Sequence, residues 1–392
     1  MNFVHEFSVL YRRFGYFTLA LLAFVLSFLL LPTTKMVNNI FYVALALPAL
    51  FFFLFHWRQY LRLSPFLWLW GGLCAWFLLV GIQSADFQYF KHLLYVILFV
   101  LLVSLLVSPG IFRDPLFARG LFWAVGGYVF IAAVVYWAIG RYAPGERVLW
   151  LPSRMTGPIY TSMWLACCFT LALPVWISQR RWVELSIAVC LAVFCMGYIL
   201  QSRSGLVGLF AIGVLFLGFL VLHRARLVIL ILTLIALASV VVFYSIREVP
   251  QFYSLFARAD AGRFELWHIL IDEWLSCGLW LGCGMQHVTT ATILGGAPIQ
   301  HPHNIFLALG LYSGLVSLVV FLIIVAVTLR RAWLQNDPWG LYLFTALIML
   351  NFDGSKLVGN PDELWLLVLL PMALIDNRRG LDSVRFFPVE RP

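Results

Sequence analysis

The sequence predicts an all-α integral membrane protein of about 12 transmembrane helices with one helical loop region outside the membrane. Three observations carry this. First, 63% of the 392 residues are hydrophobic and 11% are charged, about half the charged fraction of an ordinary soluble domain. Second, apolar runs centre near residues 23, 46, 73, 99, 129, 169, 192, 213, 235, 317, 345 and 369, and a bilayer core about 30 Å thick needs roughly 20 apolar residues per helix. Third, arginines recur in pairs in alternate connections, as they do where positively charged loops stay on the cytoplasmic side. Residues 1–392 therefore read as a single polytopic membrane domain.

The first run follows "YRRFGYF" and ends in "LLLPTTK" with no small-residue cleavage site, so it reads as a retained first helix. With the N-terminus inside, the inside segments hold Arg12, Arg13, Arg58, Arg62, Arg113, Arg119, Arg180, Arg181, Arg224, Arg226, Arg330, Arg331, Arg378, Arg379, Arg385 and Arg391, sixteen of the 26 basic residues. An even number of crossings returns the C-terminus to the cytoplasm, in agreement with the basic tail "DNRRGLDSVRFF". The net charge of +9 then reflects topology and contact with anionic membrane lipids, not nucleic-acid binding. Cys74, Cys167, Cys168, Cys190 and Cys195 fall in apolar runs as small packing residues. Cys277 and Cys283 lie outside, where an oxidising compartment would permit pairing, but nothing in the sequence requires it.

Two outside connections are long: residues 140–159, and residues 245–303 between the ninth and tenth runs. In the second, "GRFELWHILIDEWLS" sets Glu265, His268, Asp272 and Ser276 along one face and Phe264, Trp267, Leu270, Ile271 and Trp274 along the other. That spacing predicts an amphipathic helix at the membrane surface. The central parts of the twelve runs hold no Lys, Arg, Asp or Glu. Ion-coupled transporters place ionisable groups there, so a transporter or flippase is disfavoured and chemistry belongs at the outer membrane boundary. The lysines, Lys35, Lys91 and Lys356, sit in no P-loop, and neither Asp-x-Asp nor His-Glu-x-x-His occurs. The sequence thus points to no metal and no cofactor, and to a substrate that arrives already activated.

Three outside arginines sit beside glycines at helix mouths: Arg154 in "SRMTGP", Arg203 in "QSRSGL" and Arg263 in "AGRFELW". Guanidinium matches phosphate oxygens in pairs, and a helix N-terminus such as that opened by Arg203, Ser204 and Gly205 favours an anion. Together they suit a diphosphate. In "QHPHNIFLALGLYSGL", Pro302 is expected at the first helical position, which puts His303 in the first turn, where the helix dipole would keep the imidazole neutral for use as a general base. His301 would then point about 200° away on an ideal helix and reads as a structural residue. Asp86, Lys91, Asp353 and Lys356 read as ordinary solvated or headgroup-facing charges.

At these residues the chain resembles the O-antigen ligase family of membrane glycosyltransferases and its polymerase and oligosaccharyltransferase relatives. The family pattern of His, then Asn, Ser or Gln, nine residues and Gly reads here as His303, Asn304, nine residues and Gly314. Where members often show Gly, Thr or Tyr three residues later, this chain has Ser317. "RMTGPIY", "SRSGL" and "GRFELW…GLWLGCGM" also look like family blocks, so the resemblance covers roughly residues 150–320. It implies inverting, metal-independent glycosyl transfer at the periplasmic face of the bacterial inner membrane, with residues 245–303 as a periplasmic loop. The implied donor is a glycan on undecaprenyl diphosphate and the implied acceptor a sugar hydroxyl of lipid A-core. His303 would be the base, Arg203, Arg263 and Arg154 would hold the diphosphate, and His301 and Asn304 are further candidates. The rival within the superfamily is an O-antigen or exopolysaccharide polymerase; a protein-glycosylating relative would be expected to carry a larger C-terminal periplasmic region.

Overall fold

A computed structural model describes residues 15–56, 58, 64–82, 87–223, 262–289, 292 and 301–377. Every regular element of more than one residue among them is helical: α1 (Tyr16–Leu30), α2 (Thr34–His56), α3 (Pro65–Ile82), α4 (Phe87–Leu105), α5 (Pro115–Ala138), α6 (Pro158–Ser178), α7 (Trp182–Ile199), α8 (Arg203–His223), α9 (Arg263–Cys277), α10 (Ile305–Gln335), α11 (Trp339–Leu350) and α12 (Trp365–Asp376). Seven of these described helices, α2 to α7 and α10, are long and apolar enough to cross a membrane, and the chain is a multi-pass membrane protein. Eleven of the twelve expected centres fall within described helices. The run near residue 235 lies outside the described residues, as do residues 245–261, 290–291 and 293–300 of the loop 245–303, Asp86, and Arg12, Arg13, Arg62, Arg224, Arg226, Arg378, Arg379, Arg385 and Arg391.

Helix boundaries follow local chemistry. The Asp114 side chain accepts from the Leu116 N–H ahead of Pro115 at the start of α5, and Thr33 accepts from the Met36 N–H ahead of α2; each satisfies an amide that the first turn leaves without a helical partner. Helix α10 ends at Asn336 in the left-handed region, φ 52°, a conformation that asparagine tolerates better than most residues.

Helix α6 is the centre of the molecule. It is buried almost throughout and packs against α5, α7, α8 and α11. Gly205 of α8 owes its identity to this packing: a Cβ there would lie 2.9 Å from Ser162 Cβ and 2.8 Å from Met196 Sδ. Helix α3 packs along α10, and α9 lies on α10 through Leu266, Leu270 and Trp274. The polar face of α9, Glu265, His268, Asp272 and Ser276, is exposed as expected. Its apolar side divides in two, with Phe264, Ile271 and Leu275 exposed.

At the end of the bundle opposite His303, Arg113 is buried against Asp337. Its Nη2 donates at 2.8 Å to the carboxylate and at 3.0 Å to Leu374 O. Arg331 pairs with Asp376, which also accepts from Ser64 at 2.7 Å. Arginines read from sequence as topological signals therefore also tie the last described helix, α12, to its neighbours.

Candidate active site

The head of α10 differs from the sequence expectation. The helix starts at Ile305 with Asn304 as its N-cap, whose side-chain oxygen accepts from the Phe306 and Leu307 N–H groups at 2.9 and 3.1 Å. Pro302 and His303 therefore precede the helix, and His303 has φ 51°. Capping by asparagine outcompetes a proline start because it satisfies two amides at once. Without a helical turn between them, the His301 and His303 rings stand edge to face with centroids 4.0 Å apart, not on opposite sides.

What orients His303 is a carboxylate, not the first turn of a helix. Its Nδ1 lies 2.7 Å from Asp353 Oδ1, and the Asp353 side chain is 5% exposed. An ionised carboxylate only accepts, so this contact calls for a proton on Nδ1, the tautomer in which Nε2 is the ring's acceptor. Asp353 was read from sequence as a solvated charge; its place in the "NFDG" turn after α11, at the same lip as His303, was the signal that could have marked it. Gly354 makes the approach possible, since a Cβ there would meet the Ile305 N at 2.4 Å. Lys356, also read as solvated, donates to Met285 O at 2.7 Å and sits over the Tyr312 ring. His301 is held neutral by burial and then by the neighbouring His303, both lowering its pKa. Its buried Nδ1 has no partner among the described residues.

Arg203 and Arg263 meet across one cleft of about 210 Å³, which is walled by Ser204, Val207, Phe264, Trp267 and Phe352. The Arg263 guanidinium lies 5.9 Å from the Phe352 ring centroid. Phe352 directly precedes Asp353, so one turn borders the arginine cleft and holds the histidine. Arg154 does not line that cleft. It forms a two-pronged pair with Glu363, Nη1 to Oε1 at 2.5 Å and Nη2 to Oε2 at 3.3 Å. Tyr160, at the mouth of α6, faces Asp353, Asp362 and Glu363 together. Burial, and then Glu363 beside it, push the Asp362 carboxyl up to about 8.

His301, His303 and Asp353 each offer a ligand atom, all within 4.8 Å of one another, a donor set of a kind that holds zinc-like ions. A second difference concerns thiols: Cys277 and Cys283 form a disulfide.

Fold and site together define a multi-pass membrane protein with a carboxylate-oriented histidine next to a cleft lined by two arginines. Residues 187–322 match the family model described as O-Antigen ligase. The chain is also 25% identical to an O-antigen ligase of Pseudomonas aeruginosa over 356 residues, 86% of this chain and 84% of that protein. These matches support membership of the O-antigen ligase family, whose enzymes are glycosyltransferases in the broad sense.

Proposed function

We propose that this protein is an O-antigen ligase that moves a glycan from undecaprenyl diphosphate to a sugar hydroxyl of lipid A-core, at the periplasmic face of the inner membrane, with both termini in the cytoplasm. The observation that carries the reading is the turn at residues 352–353, where one residue walls the arginine cleft and the next orients His303. The donor diphosphate occupies the cleft, where Arg203 and Arg263 present charge and paired donors. The acceptor hydroxyl approaches His303 Nε2, which takes its proton as the oxygen attacks the anomeric carbon. The bond from that carbon to the diphosphate oxygen breaks, the electron pair leaves with the diphosphate, and the anomeric centre inverts. Asp353 stabilises the imidazolium that results, and the arginines stabilise the charge on the leaving group. Arg154, bound to Glu363, supports the wall of the site through the 351–363 turn and does not itself hold phosphate. The Cys277–Cys283 disulfide suits an oxidising compartment and so supports the periplasmic orientation.

Two fixed cations for a diphosphate support metal-independent transfer. The test is transfer by purified protein from lipid-linked glycan to lipid A-core, with excess EDTA and at matched ionic strength, because chelators and metals also alter screening of anionic lipids. Undiminished activity is expected. Loss in EDTA with recovery on a stoichiometric divalent ion would transfer His301, His303 and Asp353 to a metal centre. Deleting the gene separates the rivals: polymerised glycan left on undecaprenyl diphosphate is expected, whereas unpolymerised repeats would assign a polymerase.

A further inference from the structure

Helix α10 is broken inside its span. Gly314 has φ 79° and ψ 178°, so the peptide groups on either side cannot continue the helical ladder. In a membrane such groups need partners from protein, because lipid supplies none. The loop after α9 supplies two. The Cys283 N–H donates to Leu311 O at 2.7 Å, and the Leu315 N–H donates to Leu279 O at 2.9 Å. Trp76 of α3 donates to Ser313 O at 2.8 Å, and the Ser317 hydroxyl donates to Gly314 O at 2.8 Å. Loop and break meet backbone to backbone: a Cβ on Gly314 would lie 1.9 Å from Trp280 O, and one on Gly282 would lie 2.6 Å from Leu311 O. Trp274 of α9 braces the contact, its Nε1–H donating to Leu279 O at 3.2 Å while a Cβ on Gly310 would strike its ring at 2.4 Å. The disulfide between Cys277, the last residue of α9, and Cys283 closes this loop.

We propose that residues 277–283 are a disulfide-closed clamp that fixes the helix bearing Arg263 against the half of α10 that follows His303, so that glycosyl transfer depends on Cys277 and Cys283 being oxidised. This rests on the ligase reading above. Arg263 opens α9, whose other end is the clamp, and His303 precedes residues 305–313, the half-helix that the clamp grips. The loop needs a covalent closure because Gly278 and Gly282 both have positive φ. Glycine adopts that conformation freely but loses most entropy when ordered, and a cross-link removes open conformations from the competition. Misplacing reacting groups by about 1 Å slows a reaction on the order of 10²-fold.

The experiment compares full-length protein in nanodiscs before and after reduction by a phosphine. Hydrogen exchange of the Cys283 and Leu315 amides is expected to speed up at least about tenfold on reduction. Turnover at saturating lipid-linked donor is expected to fall about tenfold or more and to return on reoxidation. The loss should appear in kcat and also as a rise in donor KM, the latter limited because Arg263 hangs from the clamp but Arg203, on α8, does not. The Cys277→Ser/Cys283→Ser variant should match the reduced enzyme and ignore the phosphine, with a thermal melt confirming that it is folded. Unchanged exchange on reduction, or faster exchange with unchanged turnover, overturns the clamp. Faster exchange in a protein that transfers no glycan in either state overturns the ligase reading and leaves the clamp's structure standing.

Discussion

At the scale of single residues the site depends on a proton held in a definite place. In the proposed mechanism Asp353, 2.7 Å from His303 Nδ1, holds the proton there and so frees Nε2. His303→Ala is expected to lower turnover by about 10²–10⁴ with donor binding intact. Asp353→Asn should produce a loss of similar order because it no longer enforces the tautomer. Steady-state kinetics with a separate donor-binding assay check both, and weakened donor binding by either variant would place the pair on the phosphate side. Asp362 gives a prediction in pH. Burial and Glu363 raise its folded-state pKa to about 8, so above the ordinary carboxylate range the folded protein binds a proton that the unfolded chain does not. Stability therefore falls as pH rises from about 4 to about 8 and then levels. Asp362→Asn, which keeps an acceptor for the Leu364 N–H, should show a Tm advantage in detergent that grows over that range; a constant difference across pH would contradict it.

At the scale of elements, α10 is defined by its start and its break. Asn304 caps it with two hydrogen bonds, and losing such a cap costs about 1 kcal/mol. Asn304→Ala should therefore lower stability by roughly that amount and lower turnover further than stability explains, because His303 is the preceding residue. Asn304→Asp, which preserves the acceptor, should recover most of both, as read by thermal melts and kcat. The family pattern also acquires a physical reason in this chain. Gly314, separated from Asn304 by nine residues, must be glycine because its φ is positive and the Trp280 carbonyl occupies the space of a side chain. Ser317 departs from the usual residue, yet it is buried and its hydroxyl donates to Gly314 O at 2.8 Å, with Leu309 O a longer alternative at 3.1 Å, so the departure still serves the break.

At the scale of the whole molecule, both ends of the bundle are held by polar contacts between elements distant in sequence. Arg113 reaches Asp337, Leu374 and Asn377 across more than 220 residues of chain. Removing one member of a buried ion pair strands the other and costs about 3–5 kcal/mol, whereas replacing both by apolar residues costs far less. Arg113→Met should thus lower thermal stability sharply, and Arg113→Met with Asp337→Leu should recover much of it, with the donor affinity of the folded fraction unchanged in both. Equal melting of the single and double variants would show that the pair is not the tie.

Composition, run length and arginine spacing were enough to determine a helical membrane protein, to locate eleven described helices near their observed centres, and to mark His303, Arg203 and Arg263 by their positions at helix mouths. Those features are local, and apolar length and terminal polarity can be read residue by residue. The partners were not local. Asp353 lies 50 residues from His303, Glu363 lies 209 from Arg154, and the loop that completes α10 comes from before it in the chain. Only tertiary structure decides which charge meets which, because burial turns a solvated-looking carboxylate into a histidine's partner and an apparent phosphate ligand into half of an ion pair. The same holds for Cys277 and Cys283: spacing permitted a bond, and the backbone of the loop seated in the break of α10 brought the two sulfurs together.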